Sequence, residues 1–250
     1  MATFLSPQPT ARALLRAGAA GLENGGPRKE LTEEGEDTMA GSGAEAQRQI
    51  LGAALRAFAR RGYYGATIRE IADEAGVSVA GLYHHFLSKG QLLERIMDDT
   101  MDRLIVATVE SVALAGQDPA AQLKAAVAAH VRFHIEYQRE SFVGNTELRS
   151  LGPGARRRIL EKRDRQRRVF DAAVEGGIER GVFLVPYPAE ASRAVVTMCT
   201  AVANWYRRTG TLRADEIIAR YCALALHIVG HQNVLVTEGA GETRNHNEEE

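Results

Sequence analysis

From residue 47 the chain reads "QRQILGAALRAFARRGYYGATIREIADEAGVSVAGLYHHF", with apolar residues three and four apart. Ile50, Leu51, Ala54, Leu55 and Phe58 share one face of an amphipathic helix, which the pattern predicts to end at Gly62. Thr67 stands as the cap of a second helix, Glu70 three residues on completes a capping box, and Ile68, Ile71, Ala72 and Ala75 form its inward stripe. Gly76 supplies a tight turn and Ser78 caps a short third helix. Val77 and Leu82 flank that cap as a hydrophobic staple. Leu82 and Phe86 then face inward, and Val79, Ala80, Tyr83 and His84 face out. This is the pattern of a helix-turn-helix, spanning 67–86.

Ser88 caps a long helix that runs to Gly116. The helical period continues over about 119–140, 147–152, 154–181, 188–208 and 214–230, with breaks at "GQDP", "LGPG", "RGVFLVPYP" and "RTGTL". No segment alternates with period 2, so the fold class is all-α. Residues 1–45 are rich in Pro, Gly and acidic residues and read as a flexible tail, as do residues 233–250. Between them the pattern predicts a three-helix domain over 46–104 and a helical domain over 105–232.

Composition narrows the setting. The 250 residues carry a formal net charge of -1 and 45% hydrophobic residues, enough for a real core but no generic nucleic-acid coat. Two cysteines, Cys199 and Cys222, fit a reducing compartment. Arg12 and Arg16 interrupt the apolar start, and charges break every later apolar run before it could span a bilayer. A cytoplasmic protein without a membrane partner is expected. No phosphate loop, nucleophile elbow or metal signature is present, so no catalytic residues, metal or cofactor are expected.

The short third helix carries the chemistry. "SVAG" begins it with small side chains, so Ser78, Val79, Ala80 and Gly81 can approach base edges in a major groove. Tyr83, His84, His85 and Lys89 follow at positions that reach flanking phosphates, and the amide ends after Thr67 and Ser88 add donors. Arg48, Arg56, Arg60, Arg61 and Arg69 concentrate positive charge in the same region.

"ATIREIADEAGVSVAGLYHHFLSKGQLL" resembles the DNA-binding domain of the TetR/AcrR family of bacterial transcriptional regulators, over roughly residues 47–104. The resemblance implies an N-terminal helix-turn-helix DNA-binding domain followed by a C-terminal ligand-binding and dimerisation domain. It implies that Thr67, Tyr83, His85 and Lys89 hold phosphates, that Val79, Ala80 and Gly81 face bases, and that His84 does either. Gly90 departs from the family, in which an acidic residue is common, and puts the start of the fourth helix in question.

The resemblance also implies a homodimer on a palindromic double-stranded DNA operator, released by a small hydrophobic effector. "EASRAVVTMCTAVANWY" and "ADEIIARYCALALHIV" offer wide apolar faces suited to the dimer. The arginine-rich stretch after Glu147 is similar to that of family repressors of fatty-acid and sterol catabolism that respond to acyl-CoA thioesters. Arg149, Arg156 or Arg157 would then meet CoA phosphates, and Phe133, Tyr137, Trp205 and Tyr206 would line an apolar cavity. His130 and His134, four apart without further ligand residues, read as pocket or core histidines. The alternatives are a drug-sensing efflux regulator of the same family and an all-α interaction protein that does not bind DNA.

Overall fold

Amphipathic periodicity becomes nine α-helices among the described residues of this computed structural model, which are 34–231, with side chains from residue 43. The first helix, α1 (Glu34–Gly65), begins inside the stretch expected to be a tail; Glu45 accepts hydrogen bonds from Arg48 and Gln49 one turn later and extends the helix backwards. The rest of the two expected tails lies outside the described residues. Gly62, with φ 69°, breaks the helix where the pattern placed its end.

Two short helices follow, α2 (Ile68–Ala75) and α3 (Val79–His85). Thr67 Oγ1 accepts from the Glu70 amide at 3.1 Å, and Gly76 closes α2 in the left-handed region, φ 69°. The capping box is only half made. The Glu70 carboxylate turns instead to Arg60 and Arg61, at 3.4 and 3.3 Å, because guanidinium groups bind it more strongly than a backbone amide does.

Glu74, one turn further along α2, takes Arg56 Nε at 2.5 Å and Arg60 Nη2 at 2.6 Å. These arginines tie α1 to α2 at the surface, so most of the expected positive patch is paired with carboxylates of the protein itself. Beneath them Ile50, Phe58, Ile71 and Leu82 are fully or almost fully buried in one core.

Ser88 Oγ accepts from the Gln91 amide and starts α4 (Lys89–Leu114). Gln91 Oε1 accepts from the Leu87 amide at 2.6 Å, so Gly90 leaves this start well capped. The helix crosses the expected boundary at residue 104 without a break. Its first half buries Leu92, Leu93, Ile96 and Met97 in the core of the first three helices, a core that Val143, Leu151, Ala155 and Ile159 complete from later in the chain.

Prolines open α5 (Pro119–Glu136), α7 (Pro153–Glu179) and α8 (Pro188–Trp205), where a missing N–H costs nothing. The helix expected over 119–140 ends at Tyr137, and a separate α6 (Gln138–Thr146) follows, with a 3₁₀ turn at Leu148–Ser150. No glycine or proline marks that break. Gln138 Nε2 donates to the carbonyls of Ala203 and Tyr206 at 3.0 and 2.8 Å, and the Tyr137 ring lies under Arg103 at 3.9 Å. Tertiary contacts hold the chain in that turn.

The last helix, α9 (Ala214–Ile228), packs on α5. α5 also touches α4, α7 and α8, and its Leu123, Val127 and Val131 are wholly buried with Phe170, Val195 and Val202. Residues 183 and 231 form one isolated antiparallel bridge beside α7.

Two consequences are open to measurement. The guanidinium groups of Arg60 and Arg56 hold the Glu74 carboxyl down to about 2, below the ordinary 4.5. A depressed carboxylate stabilises the folded state above pH 4.5, and that contribution disappears as pH falls toward 2. Urea midpoints measured across this window should fall less in Glu74→Gln than in the wild type. Separately, a β-carbon at Gly177 on α7 would enter the buried Phe183 ring. Gly177→Ala should cost about 1–3 kcal/mol in denaturant unfolding, the usual penalty for overpacking.

Candidate DNA-reading face and effector cavity

Ser78 Oγ accepts from the Gly81 amide at 3.0 Å and fixes the start of α3. Leu82 and Phe86 anchor one side of the helix in the core, which turns Val79, Ala80, Tyr83 and His84 outward as the periodicity requires. His85 is half-buried, its ring edge-on to that of His84 at 5.3 Å. Gly81 is also half-buried, and a β-carbon there would press on Ser78 Oγ. It protects the cap as well as leaving room for a groove. Thr67 is exposed at the start of α2.

Lys89 is placed differently from the phosphate role expected of it. Its Nζ donates to the carbonyls of Tyr63 and Ala66, both at 2.8 Å, and lies 4.6 Å from the Tyr63 ring centre. A carbonyl of the last turn of α1 and one just beyond it hold the ammonium. Of the arginines near α3, Arg69 is exposed without an ion pair among the described residues, whereas Arg48, Arg56, Arg60 and Arg61 are paired.

A cavity of about 480 Å³ opens among α4, α5, α6, α7 and α8. Met97, Met101, Leu104, Phe133, Ile159 and Val196 supply apolar walls. His130, His134 and Gln166 form a buried polar floor. Gln166 Nε2 donates to Thr108 Oγ1 at 2.9 Å and to His130 Nδ1 at 3.2 Å, so the His130 proton sits on Nε2 and is donated to Thr200 Oγ1 at 3.0 Å. His134 Nδ1 donates to the His130 carbonyl at 2.8 Å, and the two rings stack 4.4 Å apart.

Burial pushes His130 well below the usual imidazole range, with His134 beside it adding to the effect. Burial also lowers His134 to about 4, against the hydrogen bond to the His130 carbonyl. Both rings are therefore neutral at pH 7. Ser141 Oγ and Gln166 Oε1 are buried in residues that line the cavity and lack a hydrogen-bond partner among the described residues.

The expected effector residues are only partly brought together. Phe133 lines the cavity. The Tyr137 ring packs tilted against it, 4.7 Å away, and faces a different groove with Arg103. Arg149, in the 3₁₀ turn, and Arg156 and Arg157 are exposed and outside the cavity; the first turns of α7 pack through Ala155 and Ile159, which turns Arg156 and Arg157 to solvent. Tyr206 is buried in the helical core, and Trp205 stacks on Tyr221 at 6.3 Å.

The cations at the cavity are instead Arg163, Arg167 and Arg193. Arg163 Nη2 donates to the Gly144 carbonyl at 2.7 Å, Arg167 pairs with Asp171 at 3.2 Å, and Arg193 is exposed. Sequence carried a signal for the floor: Gln166 falls in the apolar stripe Ala155, Ile159, Phe170, and His130 and His134 fall in that of Val127 and Val131. A polar residue in such a register is either paired inside or faces a ligand.

A helix-turn-helix head followed by a helical half with a ligand-sized cavity defines the class of a DNA-binding regulator. Comparisons with known proteins agree. Residues 50–96 match "Bacterial regulatory proteins, tetR family", and residues 116–229 match "Tetracyclin repressor-like, C-terminal domain". The chain is 27% identical over 192 residues to the HTH-type transcriptional repressor KstR2 of Mycobacterium tuberculosis, covering 76% of this chain and 96% of that one. A tetR-family regulatory protein from Rhodococcus RHA1 is 30% identical with a TM-score of 0.70, covering 74% of this chain and 97% of its own. AibR, solved with isovaleryl coenzyme A and operator DNA, shares the fold with a TM-score of 0.67 at 23% identity, over 74% and 99% of the two chains. This chain belongs to the TetR family of bacterial transcriptional regulators. Its relatives are regulators and not enzymes.

The neutral histidines give a pH signature distinct from that of Glu74. With folded values below 6.5, the unfolded state binds more protons as pH falls from 6.5 toward 4, so stability declines through that window. His134→Phe should flatten the decline in chemical denaturation at pH 6.5 and 4.5; an unchanged slope would show that His134 titrates normally.

Proposed function

We propose that this chain is a cytoplasmic, ligand-responsive repressor that binds a palindromic operator as a homodimer through α3. It releases the DNA when a small hydrophobic effector, an acyl-CoA thioester, fills the cavity. The observation that carries this reading is α4. Its Met97, Thr100, Met101 and Leu104 line the cavity, while its Leu92 and Leu93 lie in the core under α2 and α3. An occupant that moves α4 must move the reading head with it. Coupling then equals the difference in effector affinity between the two arrangements.

The thioester class is supported by apolar walls with arginines at the same cavity, and by AibR, which was solved with isovaleryl coenzyme A and operator DNA. KstR2 is described as a ketosteroid transcriptional regulator, which also fits an apolar ligand. Asp164 is the one carboxylate among the described residues that line the cavity, which disfavours a sensor of cationic drugs. Dimerisation is supported by α8 and α9, which leave Trp205 at 45% and Leu224 at 51% exposure, with Ala194, Ala219 and Ala223 exposed on the same two helices.

Fluorescence anisotropy on the chain's own upstream DNA at fixed salt tests the proposal. Operator binding should be tight and reversed by one thioester of an acyl-CoA panel. Tyr83→Ala, an exposed position, should weaken binding about tenfold while the protein stays folded, the loss expected for one charge-assisted hydrogen bond to phosphate. Unchanged affinity would remove Tyr83 from the interface, and indifference to every thioester would remove the CoA class.

A further inference from the structure

A second groove, of about 360 Å³, lies where α1 meets α6 and the end of α8. Among the nine described residues that line it, four are arginines, Arg56, Arg60, Arg139 and Arg207, and none is acidic. Asn204 lines both this groove and the effector cavity, so the two adjoin. Arg139 is exposed and makes no hydrogen bond or ion pair among the described residues. Arg207 Nη1 donates to the Tyr206 carbonyl at 2.9 Å, which fixes its guanidinium at the rim. Arg56 and Arg60 share the single carboxylate of Glu74, and Arg60 adds only a long contact to Glu70. Positive charge is in excess, and guanidinium groups suit phosphate oxygens.

We propose that this groove binds a diphosphate and that its occupant competes with Glu74 for Arg56 and Arg60. The inference rests on the thioester reading when the diphosphate is that of CoA, whose acyl arm would pass Asn204 into the apolar cavity. The same chemistry would also take free pyrophosphate. Glu74 belongs to α2, so an anion that draws Arg56 and Arg60 away loosens the tie between α1 and the helix-turn-helix. The groove thus gives the effector head group a second route to the DNA-reading face, besides α4.

Calorimetric titration of the full-length chain with free CoA, inorganic pyrophosphate and an acyl-CoA tests this. Arg139→Gln should weaken free CoA and pyrophosphate about tenfold, the loss of one charge-assisted hydrogen bond. Glu74→Gln, which releases two arginines, should tighten both by roughly threefold. If that variant does not fold, Glu74→Asp should give a smaller tightening. Equal affinities in wild type and Arg139→Gln overturn the site, and equal affinities in wild type and both Glu74 variants overturn the competition. Pyrophosphate binding that Arg139→Gln weakens, with no thioester bound, would sink the effector reading while upholding the groove.

Discussion

Everything else in the molecule depends on α4 being buried along one side in two places. At 1.5 Å rise per residue its 26 residues span about 39 Å. Leu92, Leu93 and Met97 root it under the helix-turn-helix, and Leu104, Ile105 and Thr108 continue the buried side into the effector half. Val112, further along, packs against the second core, so two hydrophobic cores share one rigid element. A packed helix moves as a body rather than bending locally, so in the proposed mechanism a change at the cavity wall would carry to α2 and α3.

Charge is allocated with the same economy. The arginine-rich first helix suggests an electrostatic footprint for DNA, yet its guanidinium groups are largely satisfied by Glu45, Glu70 and Glu74. Lys89 is held by the carbonyls of Tyr63 and Ala66 at and just beyond the end of α1. What remains outward on α3 is short, uncharged or aromatic: Val79, Ala80, Tyr83, His84. In the proposed repressor such a face would read bases by fit and by a few phosphate contacts.

The cavity follows a different rule. Its walls are apolar, but its floor is a chain of neutral donors and acceptors, from Thr108 through Gln166 and His130 to Thr200. Burial keeps the imidazoles uncharged, and the ring stacking of His130 on His134 fixes both. Gln166 Oε1 and Ser141 Oγ, without a partner among the described residues, mark where polarity is left over.

Local rules in the sequence determined the helices and the head. Glycines at 62 and 76 set left-handed stops, Thr67, Ser78 and Ser88 accept amide hydrogen bonds, and prolines at 119, 153 and 188 open helices, each acting within a few residues of itself. The outward set on α3 follows from the 3.6-residue period alone. Tertiary structure decided what depends on partners far along the chain. The turn at Tyr137 exists because Gln138 reaches the end of α8, 65 and 68 residues away. Lys89 and the arginines of α1 look free in a linear reading and are engaged in space. The cavity cations are Arg163, Arg167 and Arg193 rather than Arg149, Arg156 and Arg157, because which side of a long charged helix meets a cavity is set by the helices packed against it, and no local pattern encodes that choice.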